Sequence, residues 1–289
     1  MKLQHRADLT IALIAAIWGT TFFIVKDALS DCSVILFLAL RFTIAAVTLV
    51  LLLGRRIRFH RTHVAGGVLI GAILIAAYIL QTQGIKTITA SESGFLTSFY
   101  IVLVPLFTAI VYKTVPGWRE WLGVSLAICG IALMTFTSFQ MSVSFGTLLT
   151  LSGAVAFAAH ILVLGHWSKR ASMELLSVVQ ITTGAVLCWV MLPIMEKPTV
   201  QWTPKLWFAL LFTGIVATAL VFTAQTWAQQ YTTSTRTALL FSLEPIFAAM
   251  TGYLAGGEQF TTQTVIGALL ILTGILRVEL KPSPAHHNL

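Results

Sequence analysis

Charge is scarce in this chain: 18 Lys and Arg and 10 Asp and Glu among 289 residues, or 10%, where a soluble domain carries about 25%. That scarcity excludes an ordinary water-soluble fold, because too little polar material remains to coat the surface such a chain exposes. Cysteine is scarce as well. Cys32, Cys129 and Cys188 fall at no metal-ligand or framework spacing, which excludes a disulfide scaffold and leaves them as packing residues. No Gly-rich phosphate loop, G-x-S-x-G elbow or H-E-x-x-H pair occurs, so no cofactor or metal is expected and no ATPase is built in. Disorder is excluded by the opposite property, an apolar content of 57%.

What the chain has instead is apolar sequence in long runs. A transmembrane helix needs about 17 to 25 predominantly apolar residues. Ten windows meet that condition: Leu9 to Lys26, Ser33 to Leu53, Val64 to Gln83, Glu92 to Tyr112, Trp118 to Thr137, Gly146 to Gly165, Met173 to Pro193, Leu206 to Thr226, Thr237 to Ala255 and Thr262 to Glu279. The connections between them are too short for an extramembrane domain, so function must reside within the bundle. Lys2 and Arg6 precede the first run as in a secretory signal, but no small-residue cleavage site follows, and the run reads as an uncleaved first span.

Lys and Arg are one-sided along these spans. A cytoplasmic N-terminus places Lys2, Arg6, Arg55, Arg56, Arg58, Arg61, Lys113, Arg119, Lys169, Arg170, Arg236, Arg277 and Lys281 inside, and only Lys26, Lys86, Lys197 and Lys205 outside. The net charge of +8 thus follows from topology. It gives no reason to read the Arg55 to Arg61 cluster as a nucleic-acid site, and both termini are expected in the cytoplasm.

The chain also repeats itself at a period near 140 to 144 residues. Trp18-Gly19 before Phe22-Phe23 corresponds to Phe157-Ala158 before Ile161-Leu162, and Gln81-Thr82-Gln83-Gly84 to Gln225-Thr226-Trp227-Ala228. Pro105 corresponds to Pro245, and Gly123 with Gly130 to Gly267 with Gly274. Each unit holds five spans, an odd number, so the second copy enters the membrane from the opposite side. The expected fold is an all-α integral membrane protein of ten transmembrane helices in two inverted five-helix repeats, residues 1–139 and 140–289. Inverted repeats are a device of secondary transporters. The paired glycines read first as helix-packing positions.

Trp18-Gly19, Arg41-Phe42, Phe95-Leu96-Thr97 leading to Val104-Pro105, and Glu244-Pro245-Ile246-Phe247-Ala248 leading to Gly256-Gly257-Glu258 and Gly267 together resemble the EamA-type exporters of the drug/metabolite transporter superfamily. The resemblance covers nearly the whole chain and implies an inner-membrane carrier of two interlocked halves that exports amino acids or other small metabolites. It further implies that the first, third, fourth, sixth, eighth and ninth spans line a cavity, with the fifth and tenth peripheral.

Two charges lie deep in spans, Arg41 and Glu244, and each demands a reason in a bilayer. Asp8, Glu92 and Glu174 lie at span ends, where solvation is available. Glu244 reads either as a proton-coupling carboxylate or ammonium ligand, or as a structural group that satisfies amides freed by Pro245 or pairs with Arg41. Arg41 reads as a structural clamp. Trp18, Tyr78, Gln81, Phe99, Tyr100, His160, Gln225 and Trp227 fall in the cavity-lining spans and are the expected substrate contacts, suited to small amphipathic or cationic solutes. His160 also reads as a packing residue, and Trp118, Trp121, Trp202 and Trp207 read as interface anchors. Pro105 and Pro245 should each kink a span, as hinges or as static bends.

Competing functions are multidrug or cation efflux, solute uptake and, from another class, an intramembrane hydrolase built on Ser125 and His160. The four-span multidrug pumps of the same superfamily use an acidic residue inside their first span, and none lies between Asp8 and Asp27 here. The expected partners are a small-molecule substrate and the lipid bilayer, with the chain a monomer or weak dimer.

Overall fold

The computed structural model describes residues 3–57, 60–88, 90–113, 117–135, 144–256 and 261–279. Lys2, Arg58, Lys281, Gly257-Glu258 and the 139/140 junction lie outside the described residues.

Those residues are helical, and the one β-type pairing among them is an isolated bridge between Cys32 and Val200. The helices are α1 Leu3–Ala28, α2 Val34–Leu53, α3 Arg61–Ile85, α4 Ala90–Thr97, α5 Tyr100–Tyr112, α6 Trp118–Thr135, α7 Phe145–Ser168, α8 Met173–Met195, α9 Pro204–Leu211, α10 Val221–Ala228, α11 Ser234–Phe241, α12 Glu244–Gly256 and α13 Thr262–Glu279. A π-helical segment, Phe212–Leu220, joins α9 to α10 without a break. Among the described residues, seven helical stretches are long and apolar enough to cross a membrane: Leu3–Ala28, Val34–Arg56, Arg61–Ile85, Glu92–Tyr112, Phe145–Ser168, Met173–Met195 and Pro204–Ala228. The other three expected spans correspond to α6, to α11 with α12, and to α13, which are helical but shorter or interrupted.

Local chemistry sets the helix ends. Ser144, Ser172, Thr203 and Thr233 each accept an amide of the first turn of α7, α8, α9 and α11, and Pro204 follows its cap where no donor is needed. The start of α2 is capped from a distance: the Leu36 amide donates to Glu196 Oε1 at 2.9 Å, placing a carboxylate at a helix N-terminus. Large apolar side chains face outward, among them Leu51, Ile110, Ile194 and Leu254, each more than 70% exposed. In water this surface would aggregate, whereas in lipid it is the solvated face.

Glycines let the helices approach to backbone contact. Gly130 of α6 lies against the Gly267 carbonyl of α13, and Gly274 of α13 lies 2.7 Å, measured from an added Cβ, from the Gly123 carbonyl of α6. Gly84 of α3 and Gly146 of α7 press on each other in the same way. These contacts are the small-residue packing that replaces hydrophobic driving force inside membranes.

Two helical stretches are broken rather than bent. α4 ends at Thr97 and α5 begins at Tyr100, while α11 ends at Phe241 and α12 begins at Glu244. The breaks precede the prolines: Pro245 sits in the first turn of α12, and Pro105 lies buried within α5, five residues after its start. Ser98 and Ser242 mark the breaks, their hydroxyls donating to the Gly94 and Leu239 carbonyls at 2.8 and 2.5 Å. At the second break Pro245 has no amide to give the Phe241 carbonyl, so the helical ladder is interrupted there, and the Ser242 hydroxyl bonds back beside it.

Asp8 differs from expectation. It is buried rather than solvated, with Oδ2 3.0 Å from Arg236 Nη2 at the start of α11 and Oδ1 accepting from Thr232 at 3.1 Å. A carboxylate in an apolar bundle needs a cation, and Arg236 supplies it instead of standing free at the membrane surface.

Candidate functional site

The two breaks place Tyr100 and Glu244 at the first positions of α5 and α12, facing a cavity between α1, α3, α7, α10 and the broken stretches. Trp18, Arg41, Tyr78, Gln81, Tyr100, His160, Gln225 and Glu244 all border it.

The walls are aromatic. The Trp18 ring lies 5.1 Å from those of both Phe222 and Phe241, and Tyr78 meets Phe157 edge-on at 5.3 Å. The π-helical segment holds two of the lining groups. Its widened turns leave groups free for outside partners: the Ala217 carbonyl accepts from Trp18 Nε1 at 2.9 Å, and Thr218 Oγ1 accepts from Arg41 Nε at 2.8 Å. Gly214 in the same segment faces the Arg41 carbonyl and Ile44, which allows α2 to come this close.

Arg41 is therefore held by a polar partner and a ring. Its Nη2 donates to the Tyr78 hydroxyl at 3.2 Å and the guanidinium lies 4.6 Å from the Tyr78 ring centre. Arg41 and Glu244 do not pair directly: the ion pairs among the described residues are Lys205 with Asp27 and Asp31, and Arg236 with Asp8. The pairing of Arg41 with Glu244 that the sequence allowed is not formed, because Arg41 is turned to Thr218 and Tyr78. Glu244 lies beside the Tyr100 hydroxyl instead. That hydroxyl is also 3.5 Å from the Phe241 carbonyl, the one left without its helical donor by Pro245. A guanidinium and a carboxyl group thus border one cavity without direct contact.

The amides complete the lining. Gln81 Nε2 donates to Thr97 Oγ1 across to α4 at 2.9 Å. His160 Nε2 meets Gln180 Oε1 at 3.2 Å, and Gln225 Nε2 donates to Gln229 at 3.2 Å.

Two expected contacts are not in the cavity. Phe99 is 48% exposed, because it lies in the turn between α4 and α5, and the break throws off the helical phase that sequence counting assumed. Trp227 packs on Tyr231 at 5.4 Å; two residues past Gln225, it stands about 200° around the helix from the lining face. Ser125 is exposed on α6, while His160 borders the cavity on α7 with Gln180 as its partner, so the pair an intramembrane hydrolase would need is not brought together. The cysteines are free, with Cys32 and Cys188 buried and Cys129 exposed. Trp118, Trp202 and Trp207 are about half exposed or more, as interface anchors are.

Sequence reading missed Phe157, Phe222 and Phe241, though a signal was present. Each stands three residues before a polar lining group, His160, Gln225 and Glu244, as Tyr78 stands before Gln81 and Trp18 before Thr21. Within α1, α3, α7 and α10 residues three apart share a helix face, so a ring and a polar group recur together, while Phe241 and Glu244 flank a break instead.

Comparison with known proteins agrees with this architecture. The model of the EamA-like transporter family matches residues 5–136 and again residues 144–279. An uncharacterized transporter of Archaeoglobus fulgidus is 33% identical over 280 residues, covering 95% of this chain and 86% of its own. The uncharacterized transporter YoaV of Bacillus subtilis is 25% identical over 289 residues, covering 92% of this chain and 94% of its own. One crystal structure, at 18% identity, superposes with a TM-score of 0.80 over 96% of this chain and 97% of that one, which establishes a shared fold. With its seven long apolar helices, this is a multi-pass membrane protein. The chain belongs to the EamA-like transporter family.

Proposed function

We propose that this protein is a secondary transporter that moves small zwitterionic metabolites, such as amino acids, out of the cell by alternating access through the aromatic cavity. The observation that carries this reading is the pair Arg41 and Glu244, both at the cavity and each held by separate partners. Arg41 suits a ligand carboxylate, Glu244 suits an ammonium group, and the rings of Trp18, Phe157, Phe222 and Phe241 suit an apolar side chain. Purely cationic solutes would face the Arg41 guanidinium, which disfavours the multidrug reading.

The architecture behind this reading is ten spans in two inverted units meeting near 139/140, with broken spans as hinges and Pro105 and Pro245 beside them. Two separate family matches support it, as does the reciprocity of Gly130 on Gly267 and Gly274 on Gly123. We place the protein in the inner membrane with both termini cytoplasmic, on the Lys and Arg asymmetry, and as a monomer or weak dimer. Glu244 then serves as substrate ligand or proton carrier.

The test is uptake into proteoliposomes of labelled amino acids, nucleosides and quaternary amines, with and without an imposed proton gradient. Amino-acid transport that falls at least about tenfold in Glu244→Gln, a loss worth about 1.4 kcal/mol, is the expected result. Transport of none of these solutes under any gradient would sink the proposal, and unchanged pH-dependent transport in Glu244→Gln would remove the proton role.

A further inference from the structure

Two chains of hydrogen bonds reach the cavity through the wall made by α7 and α10. In the first, the Thr226 hydroxyl donates to the Phe222 carbonyl at 2.7 Å, Gln180 Nε2 donates to Thr226 Oγ1 at 3.2 Å, and Gln180 Oε1 faces His160 Nε2 at 3.2 Å. A main-chain carbonyl only accepts, so the Thr226 proton is committed and its oxygen is left to accept. The Gln180 amide must then turn its NH₂ toward Thr226 and its oxygen toward His160. That oxygen also only accepts, so the neutral His160 ring carries its hydrogen on Nε2, and its Nδ1 is a bare lone pair. Among the described residues no donor meets Nδ1, and His160 borders the cavity.

The second chain has the same logic. Gln229 Nε2 donates to the Ile161 carbonyl at 3.0 Å, so Gln229 turns its oxygen toward Gln225 and accepts from Gln225 Nε2 at 3.2 Å. Gln225 Oε1 is what remains, a buried acceptor without a partner among the described residues. Phe222 ties the two ends together: its ring meets His160 edge-on at 5.7 Å, and it stands three residues before Gln225 on the same helix face. Each chain begins at a backbone carbonyl and ends on an acceptor, so the polarity of this wall is fixed by the scaffold. Buried acceptors left unmet are unfavourable, and a ligand that brings donors relieves them.

We propose that His160 Nδ1 and Gln225 Oε1 form a donor-selective subsite of the cavity, which takes an N–H-bearing ligand group such as a primary ammonium and rejects one of similar charge without N–H. The proposal rests on the zwitterion reading and deepens it. Gln180, Thr226 and Gln229 are positioning residues, acting through the two acceptors.

Nitrogen-15 NMR of histidine-labelled full-length protein tests the wall without any ligand, with the His160 signal assigned by its loss in His160→Gln. The expected signature is the Nε2–H tautomer alone in wild type and a mixture of both tautomers in Thr226→Val, which frees the Gln180 amide to flip. A predominant Nδ1–H tautomer in wild type would overturn the proposal. Equilibrium dialysis then compares L-phenylalanine with N,N,N-trimethyl-L-phenylalanine, which keeps the charge and loses the N–H donors. Wild type should prefer the former by roughly tenfold or more, since sites built to bond a donor discriminate strongly against its absence. Gln180→Leu should bring that ratio toward unity. Equal affinity of wild type for both probes would also overturn the subsite. Binding of neither would overturn the zwitterion reading, while the tautomer still decides the polarity of the wall.

Discussion

Gly19 lies directly against the main chain of Glu244: a Cβ on residue 19 would stand 2.6 Å from the Glu244 carbonyl oxygen and 2.7 Å from the Phe247 Cβ. Trp18-Gly19 and Glu244-Pro245, far apart in the chain, are one unit in space. The glycine lets α1 touch the start of α12, and its neighbour Trp18 then lies between Phe222 and Phe241.

Gly19→Ala should therefore push apart two rigid backbones, with no flexible side chain to give way. The expected loss is about 1–3 kcal/mol of stability, as for other overpacked sites, together with reduced transport. Thermal unfolding in detergent measures it. Gly117→Ala is the control, with nothing within 4 Å of the added carbon, and should stay within about 0.5 kcal/mol of wild type.

Arg41→Lys should not rescue Arg41. The guanidinium bonds Thr218 through Nε and Tyr78 through Nη2, a fork that a single ammonium cannot reproduce. Hydrogen bonds of charged groups contribute about 1.5–3 kcal/mol, so both Arg41→Lys and Arg41→Met should lower the unfolding temperature and transport together. Folded, fully active Arg41→Met protein would show that the clamp is dispensable.

Asp8 and Arg236 should behave as a coupled pair. Arg236→Leu takes the cation away from the buried Asp8 carboxyl, at a cost of about 3–5 kcal/mol, whereas Asp8→Leu with Arg236→Leu removes both charges and should be milder than Arg236→Leu alone. A double-mutant cycle on thermal or denaturant unfolding reads the coupling. Additive effects would contradict the pairing seen at 3.0 Å.

In the link between α1 and α2, the Thr203 hydroxyl donates to Asp31 Oδ2 at 2.6 Å, and this bond, aided by Ser30 and Lys205, holds the Asp31 carboxyl below its ordinary value of 3.8. A depressed carboxylate contributes stability that is present above the ordinary value and is lost as pH falls through the lowered one. Asp31→Asn should thus unfold at a lower temperature than wild type at pH 7, and the gap should close in strongly acidic buffer. A gap that persists unchanged there would assign the effect to something other than ionisation.

The apolar runs, the glycine spacing and the two deep charges were legible in the sequence because each is a local property that a bilayer enforces. Arg41, Glu244, Trp18, Tyr78, Gln81, Tyr100, His160 and Gln225 could be named without coordinates, since polar and ring residues inside apolar spans stand out. Phe222 and Phe241 were hidden because phenylalanine in such a span looks like lipid-facing or core material. Asp8 was misjudged because its partner, Arg236, is more than two hundred residues away.

The sequence by itself determined that this chain lives in a membrane and which charges it carries there, since burying apolar runs and stranding charge are matters of composition and order along the chain. Only the tertiary structure decided who meets whom. The break at 242–243 lies where Pro245 leaves the Phe241 carbonyl without its helical donor, and the Tyr100 hydroxyl of α5 comes within 3.5 Å of that carbonyl. The π-helical segment offers Ala217 and Thr218 to Trp18 and Arg41 because its turns are wide. Arg41 and Glu244 stay unpaired because each found other partners first, and those partners come from helices that no local rule of sequence brings together.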